Sequence, residues 1–434
     1  MLLDKYAANY GRFAFKPAEA EHVADIFEAG RAKGASVSMF SRYESASNLA
    51  RQGSSGSVEW HLVTGEYPPQ PGGVGDYTYL LAKALSEAGE RVHVWTPAST
   101  SEIPELPGVE IHLLPRNFGL AWLRALDQGL ANAAPQSKIL IQYVPHMYGW
   151  KSMNIAFCAW LALRRNRNFW LMFHEVAFPF KDGQPWKHHF LAITHRLMAW
   201  TILRTAKKSF TSTEAYKDLL ARLAPNVPVR LLRLFSNVPF ANTRSFAHRT
   251  HSKVLDSAPL VGVFSSFGPK ICAILENTLP ALLAGSTFDV LLIGPGAGFI
   301  EGFLRKYPAF KGRLRTSGRV DAVDAAPYFY HCDVLLQLYP EGACPARGTL
   351  MAALASGVPV VTTAGPLTGS LLASSGALAF SDSHPEAIRE TIDALLADKA
   401  AARSLGAAAR RLYENHFDIN VTLAMLDAGR LVTH

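Results

Sequence analysis

Cysteine is scarce: 434 residues hold four, Cys158, Cys272, Cys332 and Cys344, far apart and without a CxxC pair. Three lie in apolar segments, so they read as reduced core residues, and a reducing compartment is expected. His174-Glu175 has no second His four residues on, which removes the common helical zinc pattern. No apolar run reaches the roughly 20 residues a membrane-spanning helix needs. The amino terminus lacks a basic start followed by an apolar core, so no secretory leader is expected. Positive charge is in excess at +8, but it is scattered, with no long basic run interleaved with aromatics. Nucleic acid is therefore not the expected partner; diffuse charge suits anionic small molecules or an acidic membrane surface.

What is present describes a soluble globular chain: 49% apolar residues, 18% charged. At this length one core is not enough, and two domains are expected. Residues 1–57, rich in Gly, Ser, Ala and Arg, read as a poorly structured extension; Ile26, Phe27, Met39 and Phe40 supply the apolar bulk for an amphipathic anchor as the alternative. From residue 58 the pattern changes to alternating strands and helices. Strands are expected at 58–64, 91–96, 109–114, 138–143, 169–173 and 209–212, with a loop at 65–75 and a helix at 76–88. The apolar helices 150–165 and 186–204 fit burial against the sheet, with docking on a bilayer through Trp186, Phe190, Trp200 and neighbouring cations as the alternative. A polar stretch, 236–257, reads as a linker. The pattern restarts with strands at 260–264, 287–293, 314–316, 333–338 and 358–362, then helices at 385–397, 400–415 and 421–432. The expectation is α/β: two doubly wound Rossmann-like domains, 58–240 and 258–415, with 416–434 packing back on the first.

Residues 337–363, QLYPEGACPARGTLMAALASGVPVVTT, carry the strongest chemical signal. A buried strand runs into a loop forced by Pro340, Gly342 and Pro345; a helix opens at Gly348-Thr349 and stops at Gly357 before the next β-branched run. Parallel sheets bind ligands at the carboxyl ends of their strands. A helix amino end there, capped by Thr349 and flanked by Arg347, suits a phosphate or diphosphate, with Gly348, Thr349 and Leu350 as backbone donors. The plainer alternative is an ordinary βαβ unit with a solvated Arg. In GEYPPQPGGVGDY, Gly72, Gly73 and Gly75 let backbone N–H groups approach an anionic or sugar ligand as the Asp76 helix opens; the alternative is a tight turn after a Pro-rich segment. His174 and Glu175 follow a strand end, where His174 can bond a hydroxyl and Glu175 orient it, or either can cap a turn. His146, after Tyr143-Val144-Pro145, is placed similarly. Lys270, after Phe267-Gly268-Pro269, stands where it can neutralise a diphosphate beside Arg347. Gly318-Arg319-Val320 can offer backbone groups to a nucleobase. Gly294 to Gly298 reads as a strand-to-helix turn.

Taken in order, HLVTGEYPPQPGGVGDYTYLLAKALSEAGERVHVWTP, YVPHMYG, FHEVAFP, TSTEAY, FSNVPF and YPEGACPARGTLMAALASGVPVVTT resemble the family 4 glycosyltransferases, two-domain enzymes of the GT-B fold. The similarity runs from Val58 to the carboxyl end. It implies retaining transfer of a sugar from a nucleotide-diphosphate sugar as co-substrate, with no cofactor and no metal, to a glycan, lipid-linked or small-molecule acceptor, on the cytoplasmic side. Carried over residue by residue, Gly73 and Gly75 would lie by the diphosphate or the acceptor and His174 by the donor sugar. Lys270 and Arg347 would hold the diphosphate, and Glu341 the sugar hydroxyls. The usual second Glu of a Glu-x7-Glu motif is Thr349 here, and Ala352 by the count back from Gly357, so the text resembles a subgroup lacking it. Alternatives from other classes are a nucleotide-sugar or glycan-binding protein that has lost catalysis, and a nucleotide-sugar epimerase.

Overall fold

The computed structural model describes residues 57–70, 72–240 and 258–427. The amino-terminal extension (apart from residue 57), most of the linker and the end of the carboxy-terminal segment lie outside these. The first lobe strings together β1 (Glu59–Val63), α1 (Gly73–Glu87), β2 (Arg91–Pro97), β3 (Val109–Leu114), α2 (Leu120–Gly129), β4 (Lys138–Tyr143), α3 (Ile155–Leu163), β5 (Phe169–Phe173), α4 (Trp186–Leu203), β6 (Lys208–Thr211), α5 (Glu214–Leu223) and β7 (Val229–Leu231). Its seven strands are parallel, in the order β3-β2-β1-β4-β5-β6-β7. Strands covered on both faces read as unbroken apolar text, and β5, FWLMF, is buried at every position. Trp60, Leu62, Leu140 and Met172 pack against α1 on one face; Val63, Ile141, Tyr143 and Phe173 pack beneath α3 and α4 on the other. Each such fully buried side chain contributes roughly 1.5–3 kcal/mol.

The second lobe repeats the plan: β8 (Leu260–Phe264), α6 (Pro269–Leu283), β9 (Asp289–Ile293), α7 (Ala297–Lys306), β10 (Leu314–Thr316), α8 (Ala322–His331), β11 (Val334–Gln337), α9 (Gly348–Ser356), β12 (Val360–Thr363), α10 (Gly369–Ser374), β13 (Ala379–Ser381), α11 (Pro385–Ala397) and α12 (Lys399–His416). Its six parallel strands run β10-β9-β8-β11-β12-β13. Then α13 (Ile419–Met425) crosses to the first lobe, where Leu423 and Leu426 join the core of Trp60 and Leu81. There the Lys138 ammonium donates to the carbonyls of Leu426 and Asp427, each at 3.1 Å.

Three expectations need correction. Helix α1 begins at Gly73 rather than 76, because an acceptor outside the helix satisfies its first N–H groups. The helix expected over 150–165 is broken: a short 3-10 turn covers Trp150–Ser152, and α3 starts only after Asn154, whose side chain accepts from the N–H of Phe157. The edge strands β7 and β13, three residues each, carried too little pattern to be expected.

The carboxyl ends of the two sheets face each other. Glu214, opening α5 beyond β6, accepts from the N–H of Ser370 at 3.2 Å and from its hydroxyl at 3.1 Å, beyond β12. Beside this contact a cavity of about 210 Å³ is lined from both lobes, by Thr213, Asp218 and Arg233 on one side and Pro345, Leu367 and Thr368 on the other.

Candidate active site

In each sheet the strand order reverses once, between β1 and β4 and between β8 and β11. Crevices outside the carboxyl ends of such strands are where open α/β sheets take ligands. Beyond β11, Gly342 has φ +78 and lies so close to Gly365 that a side chain there would strike backbone. The loop thereby doubles back, and Arg347 ends beside Glu341 in an ion pair, its guanidinium 5.5 Å from the centre of the Tyr339 ring. Behind it Gln337, its amide turned to satisfy Phe264, donates to the Tyr339 hydroxyl at 3.0 Å. Tyr339 in turn bonds the Thr349 hydroxyl at 2.8 Å.

The expected helix-mouth donors sort differently from the expectation. Thr349 does not cap α9; its hydroxyl is held inward by Tyr339, and among the described residues no side chain caps the helix. Leu350 is fully buried and its N–H bonds Arg347 O at 3.0 Å, so it offers nothing outward. Among the described residues the first-turn N–H groups of Gly348 and Thr349 meet no acceptor. Lys270 stands exposed in the first turn of α6, beyond β8 on the neighbouring side of the switch. Phe267, just before it, is buried and holds φ +51, a conformation a non-glycine residue adopts only under constraint. Val320 is half-buried against the second-lobe core. Gly294, bridged to Gly318, forms the strand-to-helix turn, with a Ser265 carbonyl where a side chain would go.

In the first lobe the glycine loop has an occupant of its own. Glu66 Oε1 accepts the N–H of Val74 at 2.8 Å and of Gly75 at 3.0 Å, so the amino end of α1 is bound to an internal carboxylate. Gly75 is favoured by packing: a Cβ there would lie a tight 3.2 Å from the Tyr67 backbone, which would have to give way slightly. Gly72 faces the Glu66 carboxylate, while Gly73 is open to solvent. Asp76 follows on the same turn, and burial, reinforced by the Glu66 charge, pushes its carboxyl up to about 6.

The strand ends beyond β4 and β5 bring His146 and Glu175 together, Nδ1 to carboxylate 3.4 Å, both more than half exposed. That hydrogen bond and the Glu175 charge raise the His146 pKa. His174 behaves oppositely: buried, with its ring edge-on to Tyr77 at 5.0 Å, it is pushed down to about 3 by desolvation. Its Nε2 lies 2.7 Å from Gln142 Oε1, so the neutral ring carries its hydrogen there and leaves Nδ1 as an acceptor. Burial and then the Glu175 charge raise the pKa of Tyr216 on α5, with smaller opposed influences from Cys344, which raises it, and Arg347, which lowers it, both of the second lobe. The residue-by-residue sequence reading missed Glu66, Gln142, Tyr216 and Tyr339. It missed Asn237 too, whose buried Oδ1 has no partner among the described residues and lies 3.9 Å from where a Cβ on Gly348 would stand. Tyr216 and Asn237 lie inside the quoted TSTEAY and FSNVPF segments, which was the available signal.

Two family models match in tandem, one per lobe: a glycosyl transferase 4-like domain over residues 72–234 and a glycosyl transferase-like domain over 274–426. The chain is a glycosyltransferase of the GT-B type. Similar solved structures carry the same fold. Sucrose-phosphate synthase from Thermosynechococcus elongatus aligns over 85% of this chain and 97% of its own at 20% identity, TM-score 0.63. Anabaena HepE, solved with UDP and glucose, aligns over 86% and 98% at 16% identity, TM-score 0.59. A UDP-forming trehalose-phosphate synthase from Burkholderia xenovorans aligns over 87% and 100% at 10% identity, TM-score 0.58. Among curated proteins none matches the sequence. In this glycosyltransferase, among the described residues, no helix is long and apolar enough to cross a membrane.

Proposed function

We propose that the chain transfers a sugar from a nucleotide-diphosphate sugar to an acceptor hydroxyl with retention of anomeric configuration, as a family 4 enzyme of the subgroup without the second Glu. The supporting observation is that Arg347 and Lys270 open helices beyond β11 and β8, the strands flanking the second-lobe switch point. A diphosphate outcompetes Glu341 for the Arg347 guanidinium, because it brings more charge and also meets the N–H groups of Gly348 and Thr349. Glu341, released, then faces the sugar hydroxyls. Phe267 and Val320 border the nucleobase. Across the cleft His174 offers its neutral ring to the donor sugar. The His146–Glu175 pair, with Gly72, Gly73 and Asp76, lines the acceptor side.

In the transfer, the bond from C1 to the diphosphate oxygen breaks as the acceptor oxygen bonds C1 on the same face. The departing phosphate oxygen takes the acceptor's proton. No protein nucleophile, metal or cofactor enters this scheme; fixed positive groups act where the charge of the leaving group develops.

A second surface bears on where the acceptor resides. Helix α4 buries Ala192, His195, Met198, Ala199 and Ile202 against the sheet, so burial accounts for one face. Its other face exposes Trp186, Phe190, Ile193, Leu197 and Trp200 at helical spacing, with Arg204 stacked on Trp200 at 5.1 Å. An exposed apolar stripe flanked by cations fits peripheral contact with an anionic membrane on its cytoplasmic face, and with it a lipid-linked acceptor.

Labelled nucleotide sugars, uridine ones first because HepE has been solved with UDP-glucose, test the transfer. The expected result is release of nucleoside diphosphate with a new glycoside of unchanged anomeric configuration by NMR. An inverted product or a failure to turn over any donor overturns the proposal. Tight binding without turnover favours a binding protein, which the inward bond of Thr349 and the full burial of Ala352 at the second-Glu position support. A new sugar nucleotide without adduct favours an epimerase.

A further inference from the structure

Away from the cleft, toward the amino-terminal ends of β1, β2 and β3, three histidines and two glutamates share one face of the sheet. Parallel register sets His93 opposite Glu110 and His61, while His112, two residues after Glu110, projects on the same side. His93 Nδ1 lies 3.0 Å from His112 Nε2 and 3.3 Å from Glu110 Oε2, and His112 Nε2 lies 3.6 Å from Glu110 Oε1. A tetrahedral zinc-class ion with bonds of about 2.0–2.1 Å holds its ligand atoms about 3.3 Å apart. The two imidazole nitrogens, and the carboxylate oxygen nearest each of them, are spaced close to the edge of such a tetrahedron, and one donor atom from each of the three residues lies within 4.8 Å of the others.

The groups behind them are arranged as an outer ligand shell. The other ring nitrogen of His93, Nε2, lies 3.4 Å from Glu59 Oε1. Metal-bound histidines regularly turn their second nitrogen to a carboxylate in this way, which fixes the tautomer and strengthens the ligand. Glu59 is itself held, accepting from the Ala134 N–H at 3.2 Å and from the Ser137 hydroxyl. The indole of Trp95 stacks on His112 at 3.9 Å, and its N–H donates to His61 Nδ1 at 3.1 Å, which locks both rings.

We propose that His93, Glu110 and His112 form a binding site for a borderline divalent cation of the zinc class, with Glu59 as the residue that positions His93. Two imidazoles and one carboxylate suit zinc and its transition-metal neighbours and are poor for magnesium or calcium, which take oxygen ligands in larger number. Bound there, the ion cross-links the edge strand β3 to β2. It has no part in sugar transfer, whose groups lie at the opposite strand ends.

The test uses the full chain, stripped with chelator and titrated with zinc chloride by calorimetry, with cobalt(II) as a spectroscopic stand-in. One equivalent is expected to bind, with the intense visible absorption of tetrahedral cobalt and a raised melting temperature. H93Q and H112Q are expected to abolish this binding. E59Q is expected to weaken it about 10- to 100-fold, and E110Q, at an exposed position that spares the fold, to remove the tetrahedral spectrum. Binding of unaltered stoichiometry and affinity in E110Q and H112Q, or no binding by the parent chain at micromolar zinc, overturns the proposal. Circular dichroism of the metal-free variants separates loss of the site from loss of the fold.

Discussion

The carboxylate of Glu66 accepts the N–H of Gly75 at 3.0 Å, at the end of α1 that the glycine-rich loop had marked for an external anion. One negative group already satisfies that helix, so the two lobes are not equivalent. The proposed diphosphate site is accordingly at α9, whose first N–H groups no side chain caps among the described residues. Glu66→Ala is expected to cost about 1 kcal/mol in urea unfolding, the usual worth of a helix amino-end cap. Glu66→Gln keeps an acceptor oxygen and should lose less. Equal stability of E66A and the parent chain would count against the cap.

Asp76 supplies a pH test of the same corner. Its carboxyl titrates near 6 in the folded chain against an ordinary 3.8, burial being the larger cause and Glu66 the smaller. The folded state therefore holds the proton longer, and this group's contribution to stability is full below about 3.8 and lost as pH rises to about 6. Asp76→Asn should gain stability over the parent at pH 7 and not at pH 4. In Glu66→Gln the Asp76 titration, followed by carboxyl carbon NMR, should move down without reaching the ordinary value.

Arg347→Ala is expected to lower turnover at least 10²- to 10³-fold, the common cost of removing one fixed donor to developing charge. Its side chain is 42% exposed, so the fold should survive. Circular dichroism and steady-state kinetics with the preferred donor check the two halves; near-parental rates would end the assignment of Arg347 to the diphosphate.

Three buried histidines set the acid limit. Burial, the largest cause in each, holds His61 and His195 near 4 and His174 near 3, against an ordinary 6.5. Unfolding lets each take up a proton, so their contribution is full above 6.5 and lost as pH falls through about 4. The urea midpoint should drop from pH 7 to pH 5, and His174→Gln should flatten that slope. The neutral His174 ring also predicts no kinetic ionisation from His174 between pH 5 and 8.

Phe190→Ser with Trp186→Ser removes exposed apolar bulk from α4 without touching its buried face. Sedimentation with vesicles rich in anionic lipid should fall at least tenfold, while transfer to a soluble acceptor is retained. Unchanged vesicle binding would move the membrane contact elsewhere.

The strand and helix alternation, the two lobes and the helix that Gly357 stops were legible in the sequence because each depends on local text: apolar runs of strand length, turn residues, a left-handed stop at φ +72. Arg347 and Lys270 were legible for the same reason, since their place at a strand-to-helix turn follows from neighbours within a few residues. Strand order and register decided the rest, and they pair residues distant along the chain. Only that packing brought Tyr216 near Arg347 and lined up His93 with Glu110. No local spacing encodes such distances; they arise when buried faces of separate strands settle against common helices, and the polar groups carried with them acquire their partners.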